Sequence, residues 1–216
     1  YNATSYRDRR RRAVLRPAAD RTGSRALSTL RRFASLVLRP SAEWQVIATE
    51  PITVDALLLR VILPFALLAP IATVIGMNVF DARWDPLQGY LVPPEQIFAA
   101  AATTFFAVIG SIFGLAAIFV LLAPMFGSSR DYRAALKVAA YGALPVMLAG
   151  GAMLLPAMVV VGMVALCHTL YLYWVGARCV LDVRADHLSE FVGISTLLLG
   201  AFSVLAGAAA SSVGLI

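Results

Sequence analysis

Apolar residues along the chain form five long stretches that follow a shorter, more polar start. Each stretch is at least as long as the roughly 20 residues that a helix needs to cross a bilayer. The pattern therefore predicts an all-α polytopic membrane protein with five transmembrane helices. They are expected at about Ala56–Phe80, Ile97–Phe126, Ala134–Leu155, Ala157–Val180 and Phe191–Leu215.

The boundary between the third and fourth stretches is marked only by Gly150, Gly151 and Pro156. A single helix of about 45 residues would be about 68 Å long, more than twice the thickness of the hydrocarbon core. We therefore expect a tight turn around Gly150–Pro156.

A helical pattern also precedes the first apolar stretch. Apolar residues recur there at three- and four-residue spacing, which is typical of an amphipathic helix lying on a membrane surface. Pro40 is expected to end this helix, and Ser41 to cap a second short one that carries Trp44 as a surface anchor. The apolar positions of the first helix are Leu27, Leu30, Phe33, Ala34, Val37 and Leu38.

These patterns divide the chain into three parts. We expect a basic, disordered tail over 1–25, interfacial amphipathic helices over 26–52 and the five-helix transmembrane domain over 53–216. Composition agrees: 60% of the residues are hydrophobic and 14% are charged. Soluble domains carry about 45–50% apolar and about 25% charged residues, so a water-soluble globule is excluded.

The basic residues predict the orientation. Of the 18 Lys and Arg residues, 11 lie within the first 39 positions. Short cytoplasmic loops retain Lys and Arg, and a cytoplasmic N-terminus leaves only Arg83 of the 18 on the opposite side. Five spans then place the C-terminus outside. The basic tail is expected to bind anionic lipid headgroups, and no nucleic-acid partner is expected.

Titratable groups inside the apolar stretches are few. Arg60 and Lys137 lie near the cytoplasmic boundary, where long side chains can extend to the headgroups. His168 is near the middle of the fourth stretch and is a weak candidate for a cofactor ligand, on haem or chlorophyll. A lone histidine without a second ligand is more often a packing residue, so we assign no cofactor and no metal site.

Catalytic patterns are absent from the sequence: there is no Gly-rich phosphate loop, G-x-S-x-G, HExxH or CxxC. We therefore expect no enzymatic activity. Cys167 and Cys179 lie about 18 Å apart if one helix carries both, so they should be unpaired.

Small residues and prolines mark where helices should pack and bend. Small residues at four-residue spacing let helices approach closely in lipid, either within the bundle or between copies. The expected helix-packing positions are Gly110, Gly114, Ser203, Gly207 and Ser211. Each proline removes a backbone hydrogen bond, and kinks are expected at Pro64, Pro70, Pro124 and Pro145.

Three segments form a recognisable set: Arg39–Pro51 before the first span, Ala140–Pro145 in the third and Leu170–Gly176 in the fourth. Together they resemble the corresponding segments of bacterial Yip-domain proteins, the prokaryotic relatives of the Ypt/Rab-interacting membrane proteins. The residues that carry the resemblance, which covers about 32–215, are Trp44, Tyr141, Pro145 and Gly176.

The chain departs from the family pattern after the fourth span. Many members show a Val-Pro pair and then a Tyr at the start of the last span. Here Arg184 follows Val183, and the corresponding aromatic residue is Phe191.

The resemblance implies five spans, a cytoplasmic N-terminus and an external C-terminus. The leading hypothesis is a non-enzymatic scaffold or adaptor in the bacterial inner membrane that binds lipid, other membrane proteins or itself. One alternative is a small transporter or channel with Tyr141, Pro145 and His168 along its path. Another is an accessory subunit of a larger pigment or haem complex.

Overall fold

The computed structural model describes residues 31–79, 84–85, 90–91, 93–128, 130–152 and 158–212. Among the described residues, two helices precede the bundle: α1, described over 31–38, and α2, which covers Pro40–Thr49. Two short antiparallel strands, β1 (Trp84–Asp85) and β2 (Tyr90–Leu91), lie between the first two spans. The expected disordered tail and the first residues of the predicted amphipathic helix lie outside the described residues.

In the part of the chain that the structure describes, five helices are long and apolar enough to cross a membrane, which confirms the predicted fold class. The third and fourth are separate helices, while most of the predicted turn between them, at 153–157, lies outside the described residues. The fifth continues as a helix to Ser212. The spans are Val54–Asn78, Pro94–Phe126, Tyr132–Ala152, Val159–Val180 and Leu188–Ala208.

The first span shows how proline interrupts a helix. It passes from an α-turn at Val54–Leu57 into a π-helix at Leu58–Ile62, and returns to α-helix at Leu63–Ala66. Pro64 has no N–H to donate to the carbonyl four residues earlier, and a π-turn is one way in which a helix accommodates such a gap. A further α-helix, Leu68–Val79, contains Pro70.

The other two prolines also coincide with interruptions. Pro124 lies in the 3-10 turn Ala123–Phe126 at the end of the second span. Pro145 lies at the start of the helix Leu144–Ala152, just after the helix Tyr132–Gly142 ends. The predicted breaks therefore occur where the backbone loses a donor.

The third span is the centre of the bundle. Its most apolar window is 67% buried by the rest of the chain, although its mean hydropathy of 1.4 is the lowest of the five. It is packed closely on both sides. A Cβ on Gly142 would overlap the ring of Tyr173 in the fourth span, and one on Gly150 would lie 3.0 Å from Cβ of Ala69 in the first.

Helices α1 and α2 pack against the bundle, with Leu36, Trp44 and Ile47 almost completely buried. The expected surface anchor at Trp44 is therefore wrong: its ring fills a space in the bundle, whereas Leu38 of the expected apolar face is exposed. The expected cap is also wrong. Helix α2 begins at Pro40, whose fixed φ suits the first helical position, so Ser41 lies inside the first turn.

Candidate functional site

Helices α1 and α2 meet the third and fourth spans in a cluster that we call the docking junction. It consists of Arg32, Trp44, Glu43, Glu50, Lys137, Tyr141 and Gly176. Three of the four residues that carry the family resemblance, Trp44, Tyr141 and Gly176, lie in it, although they are far apart in sequence. The fourth, Pro145, is buried one turn beyond Tyr141.

Arg32 joins three elements of the junction. Its Nε donates to Glu43 Oε1 at 3.1 Å, and its terminal nitrogen donates to Glu50 Oε2 at 2.6 Å and to the Tyr141 hydroxyl at 3.3 Å. Burial by itself lowers the pKa of Arg32, but the interactions with Tyr141 and Glu50 outweigh it, so the pKa lies above its ordinary value. The guanidinium group stays charged at any physiological pH and bridges the carboxylates of Glu43 in α2 and Glu50 directly after α2 to the third span.

Lys137 holds the end of α2. Its Nζ donates to the carbonyl oxygens of Ile47 at 3.1 Å and Glu50 at 2.6 Å. The last carbonyls of a helix have no partner within it, and a cation at that end also suits the helix dipole. The expectation that Lys137 extends to the headgroups is therefore wrong, whereas the side chain of Arg60 is exposed.

Trp44 and Gly176 determine how closely α2 approaches the fourth span. A Cβ on Gly176 would lie 2.9 Å from Cζ2 of Trp44 and 3.0 Å from Cγ1 of Val138. Neither neighbour is the flexible end of a long side chain. Glycine at 176 is therefore required by the position of the indole ring.

Aromatic rings extend the core below the junction. Phe119 of the second span stacks on Phe191 of the fifth, with centroids 5.2 Å apart, and meets the edge of Tyr173 at 6.0 Å. Phe191 is fully buried. The position at which this chain departs from the family pattern therefore still carries an aromatic ring at the centre of the bundle.

The loop between the fourth and fifth spans, where the sequence departs from the family pattern, contains an ion pair. After the fourth span, Asp182 adopts a left-handed conformation with φ of 53°, and Arg184 donates to Asp186 Oδ2 at 3.0 Å. Slight desolvation raises the pKa of Asp186, but a backbone hydrogen bond and the charges of Arg184 and His187 outweigh it and lower the pKa below 3.8. Arg184 and Asp186 thus form an ion pair between exposed side chains in this loop.

A cavity of about 400 Å³ lies in the middle of the bundle, away from the docking junction. All five spans contribute to it. Its lining is mostly aliphatic and contains no charged side chain; it includes Ala69, Ile112, Ala143, Met147, Thr169 and Gly200. Tyr141, Pro145 and His168, which the transporter alternative would put along a path, are not among the lining residues.

His168 lies beside this cavity. Its ring is 6.0 Å from that of Tyr171, and its buried Nε2 has no hydrogen-bond partner among the described residues. The part of the chain that the structure describes contains no group of three His, Cys, Asp or Glu side chains that could hold a metal ion. Cys167 and Cys179 are both unpaired, as expected.

The expected helix-packing residues fall into three groups. A Cβ on Gly114 would meet Leu199 of the fifth span at 3.9 Å, whereas one on Gly110 would meet nothing within 4 Å. Ser203 is exposed and donates to the carbonyl of Leu199 within its own helix. Gly207 lies further along the fifth span, and the side chain of Ser211 is outside the described part.

Sequence reasoning missed the role of Arg32, which it treated as part of a lipid-facing helix. A signal was present: Glu43 and Glu50 are seven residues apart, so two turns of helix place them on one face, where one cation can reach both. For Thr169, which lines the cavity, the sequence offers no such signal.

Comparison with known proteins gives one result. A family model described as the Yip1 domain matches residues 34–207, which include α2, every residue of the docking junction except Arg32, and the five spans up to the penultimate residue of the fifth. Comparison with curated proteins and with solved structures gives no match.

Proposed function

Because the chain belongs to the Yip1-domain family and is a multi-pass membrane protein, we propose that it is a non-enzymatic scaffold or adaptor. It binds other membrane proteins, or a second copy of itself, through the outer faces of its second and fifth spans. These are the two least buried spans: their most apolar windows are 22% and 17% buried by the rest of the chain.

The observation that carries this proposal is the placement of glycine on these outer faces. Cβ atoms built on Gly110, Gly193 and Gly200 would meet nothing within 4 Å. Internal packing therefore does not require glycine at these positions. In lipid, small residues favour association because they let another helix approach the backbone closely.

The fifth span presents these residues in a regular pattern. Gly193, Thr196, Gly200, Ser203 and Gly207 follow one another at intervals of three and four residues. This spacing keeps small side chains on one stripe of a helix, as in a left-handed helix pair. A single transmembrane helix of a partner could lie along the stripe over several turns.

We place the protein in a bacterial inner membrane with its N-terminus in the cytoplasm and its C-terminus in the periplasm. The basic residues near the docking junction and the adjoining loops support this orientation, because cytoplasmic loops retain such residues. They are Arg130, Arg133, Lys137, Arg178 and Arg184. The basic N-terminal segment binds anionic lipid headgroups on the same side.

Gly110→Leu tests the adaptor function. The protein and this variant are purified in a mild detergent, and the masses of the intact complexes are measured. We expect the unaltered chain to retain a membrane protein or a second copy at a fixed stoichiometry, and Gly110→Leu to lose it because the side chain separates the helix backbones.

Ala102→Leu is the matched control in the same span. Position 102 is also exposed but lies about 80° around the helix from position 110. This variant should retain the partner. A chain that purifies alone under all conditions, or a partner that both variants lose equally, would contradict the proposal.

A further inference from the structure

Thr169 lines the central cavity, and its hydroxyl oxygen is buried and without a hydrogen-bond partner among the described residues. Its side chain is 2% exposed. A hydroxyl in a membrane helix usually donates to a carbonyl one turn earlier. Ser111, Thr196 and Ser203, which line the same cavity, do so at 2.8 Å each.

Leaving a donor unpaired in an apolar interior costs about 1–3 kcal/mol, so a buried hydroxyl of this kind calls for a bound group. The cavity around it has the size and character of a small-molecule site. Such sites enclose about 300–1,000 Å³ and combine apolar walls with a few polar groups.

The depth of Thr169 restricts what can bind. It lies at the middle of the fourth span, Val159–Val180, about 15 Å from either end. A phospholipid whose headgroup stays at the surface would present only methylene groups there. The absence of charged side chains from the lining also disfavours a charged ligand.

The mouth of the cavity faces the lipid. The lining residues that are exposed belong to the third, fourth and fifth spans: Val146, Leu166, Leu170, Gly200 and Ser203. A ligand therefore enters sideways from the membrane, between helices.

We propose that this cavity binds an uncharged lipid that carries a carbonyl or hydroxyl oxygen, and that this oxygen accepts a hydrogen bond from Thr169 at the centre of the membrane. The aliphatic walls contact the chain of the lipid. This site is separate from the docking junction, and its rim shares Thr196, Gly200 and Ser203 with the small-residue stripe of the fifth span.

The test compares two probes of equal length: a long-chain dialkyl ketone with its carbonyl at the middle, and the corresponding alkane. Each is added to the full chain in detergent, and the fraction of protein carrying one probe molecule is measured by native mass spectrometry. We expect the ketone to bind at one per chain and more tightly than the alkane. An excess of phosphatidylcholine should not displace it.

Thr169→Val removes the hydroxyl and keeps the shape of the side chain. It should weaken binding of the ketone about 3- to 10-fold, as expected for one hydrogen bond, and leave binding of the alkane unchanged. Thr169→Ser should bind the ketone as the unaltered chain does.

Gly200→Leu and Ala201→Leu form a matched pair in the fifth span. Both positions are exposed, but only Gly200 lines the cavity. Gly200→Leu should fill the cavity and abolish binding of both probes, whereas Ala201→Leu should change neither. Equal binding of ketone and alkane, full binding by Thr169→Val, or displacement by phosphatidylcholine would overturn the proposal.

Discussion

Gly176 is a residue whose missing side chain determines how two helices pack. The ring of Trp44 occupies the position that a larger residue at 176 would need. Gly176→Ala should lower the free energy of unfolding by about 1–3 kcal/mol, because the rigid indole must move out of a packed site. Thermal unfolding in detergent micelles measures the effect.

Gly193→Ala is the control for this prediction. It lies in the fifth span, where a Cβ meets nothing within 4 Å. The added methyl group should stabilise the helix by about 0.5–1 kcal/mol, since alanine is the better helix former. Equal effects of the two substitutions would show that Trp44 does not limit position 176.

Arg32 is the cation that neutralises the two carboxylates of the docking junction. Arg32→Gln leaves the carboxylates of Glu43 and Glu50 without their common cation. Because the three side chains are partly exposed, the cost should be about 1 kcal/mol and should shrink at high salt. Arg32→Lys should restore little of it, since an ammonium group lacks the planar fork that reaches both carboxylates.

Arg31→Gln provides the comparison, because Arg31 is the exposed neighbour in the same helix. Its effect on chemical denaturation at low salt should be negligible. If both substitutions cost the same, the net charge of α1 would be responsible and the specific bridge would not.

The sequence predicts the chemistry of these residues better than it predicts which groups surround them. Spacing identified an apolar face in the N-terminal helices, but an apolar face suits a membrane surface and a protein surface equally well. Whether the apolar face packs on the membrane or on the protein depends on Gly176, which is 132 positions from Trp44. A pattern within one helix carries no information about so distant a partner.

At the scale of elements, α2 is joined to the third span through its last carbonyls. Lys137→Met removes the donor to Ile47 and Glu50 while keeping a long side chain. Local opening of α2 should become about 5-fold more frequent, the effect of losing roughly 1 kcal/mol. Hydrogen exchange of the amides at 46–50 measures this opening.

Arg133→Met serves as the control, because it removes an exposed positive charge one turn earlier in the same span. Exchange in α2 should not change. Faster exchange in both variants would indicate that general electrostatics, and not the cap, holds the helix.

Element boundaries were predictable where covalent chemistry sets them. Pro64, Pro124 and Pro145 lie at helix interruptions because proline lacks an N–H, whereas Pro70 lies within the helix Leu68–Val79. The start of α2 was missed because Pro40 was taken as the end of one helix, when it also begins the next. The cavity was not predictable, since five spans must be assembled before it exists.

For the whole molecule, the proposed orientation leads to a direct experiment. A reporter that is active only outside the cytoplasm should be active when fused after Ile216 and inactive when fused before Tyr1. The distribution of Lys and Arg is the reason for this expectation. Activity confined to the N-terminal fusion would reverse the orientation.

The contact between Trp44 and Gly176 also has a consequence for biosynthesis. Ribosomes add about 5–20 residues per second, so the 132 positions between the two residues take roughly 7 to 26 seconds to translate. During that time the indole ring has no binding site on its own chain. The indole ring can therefore reach its buried position only after the fourth span has emerged.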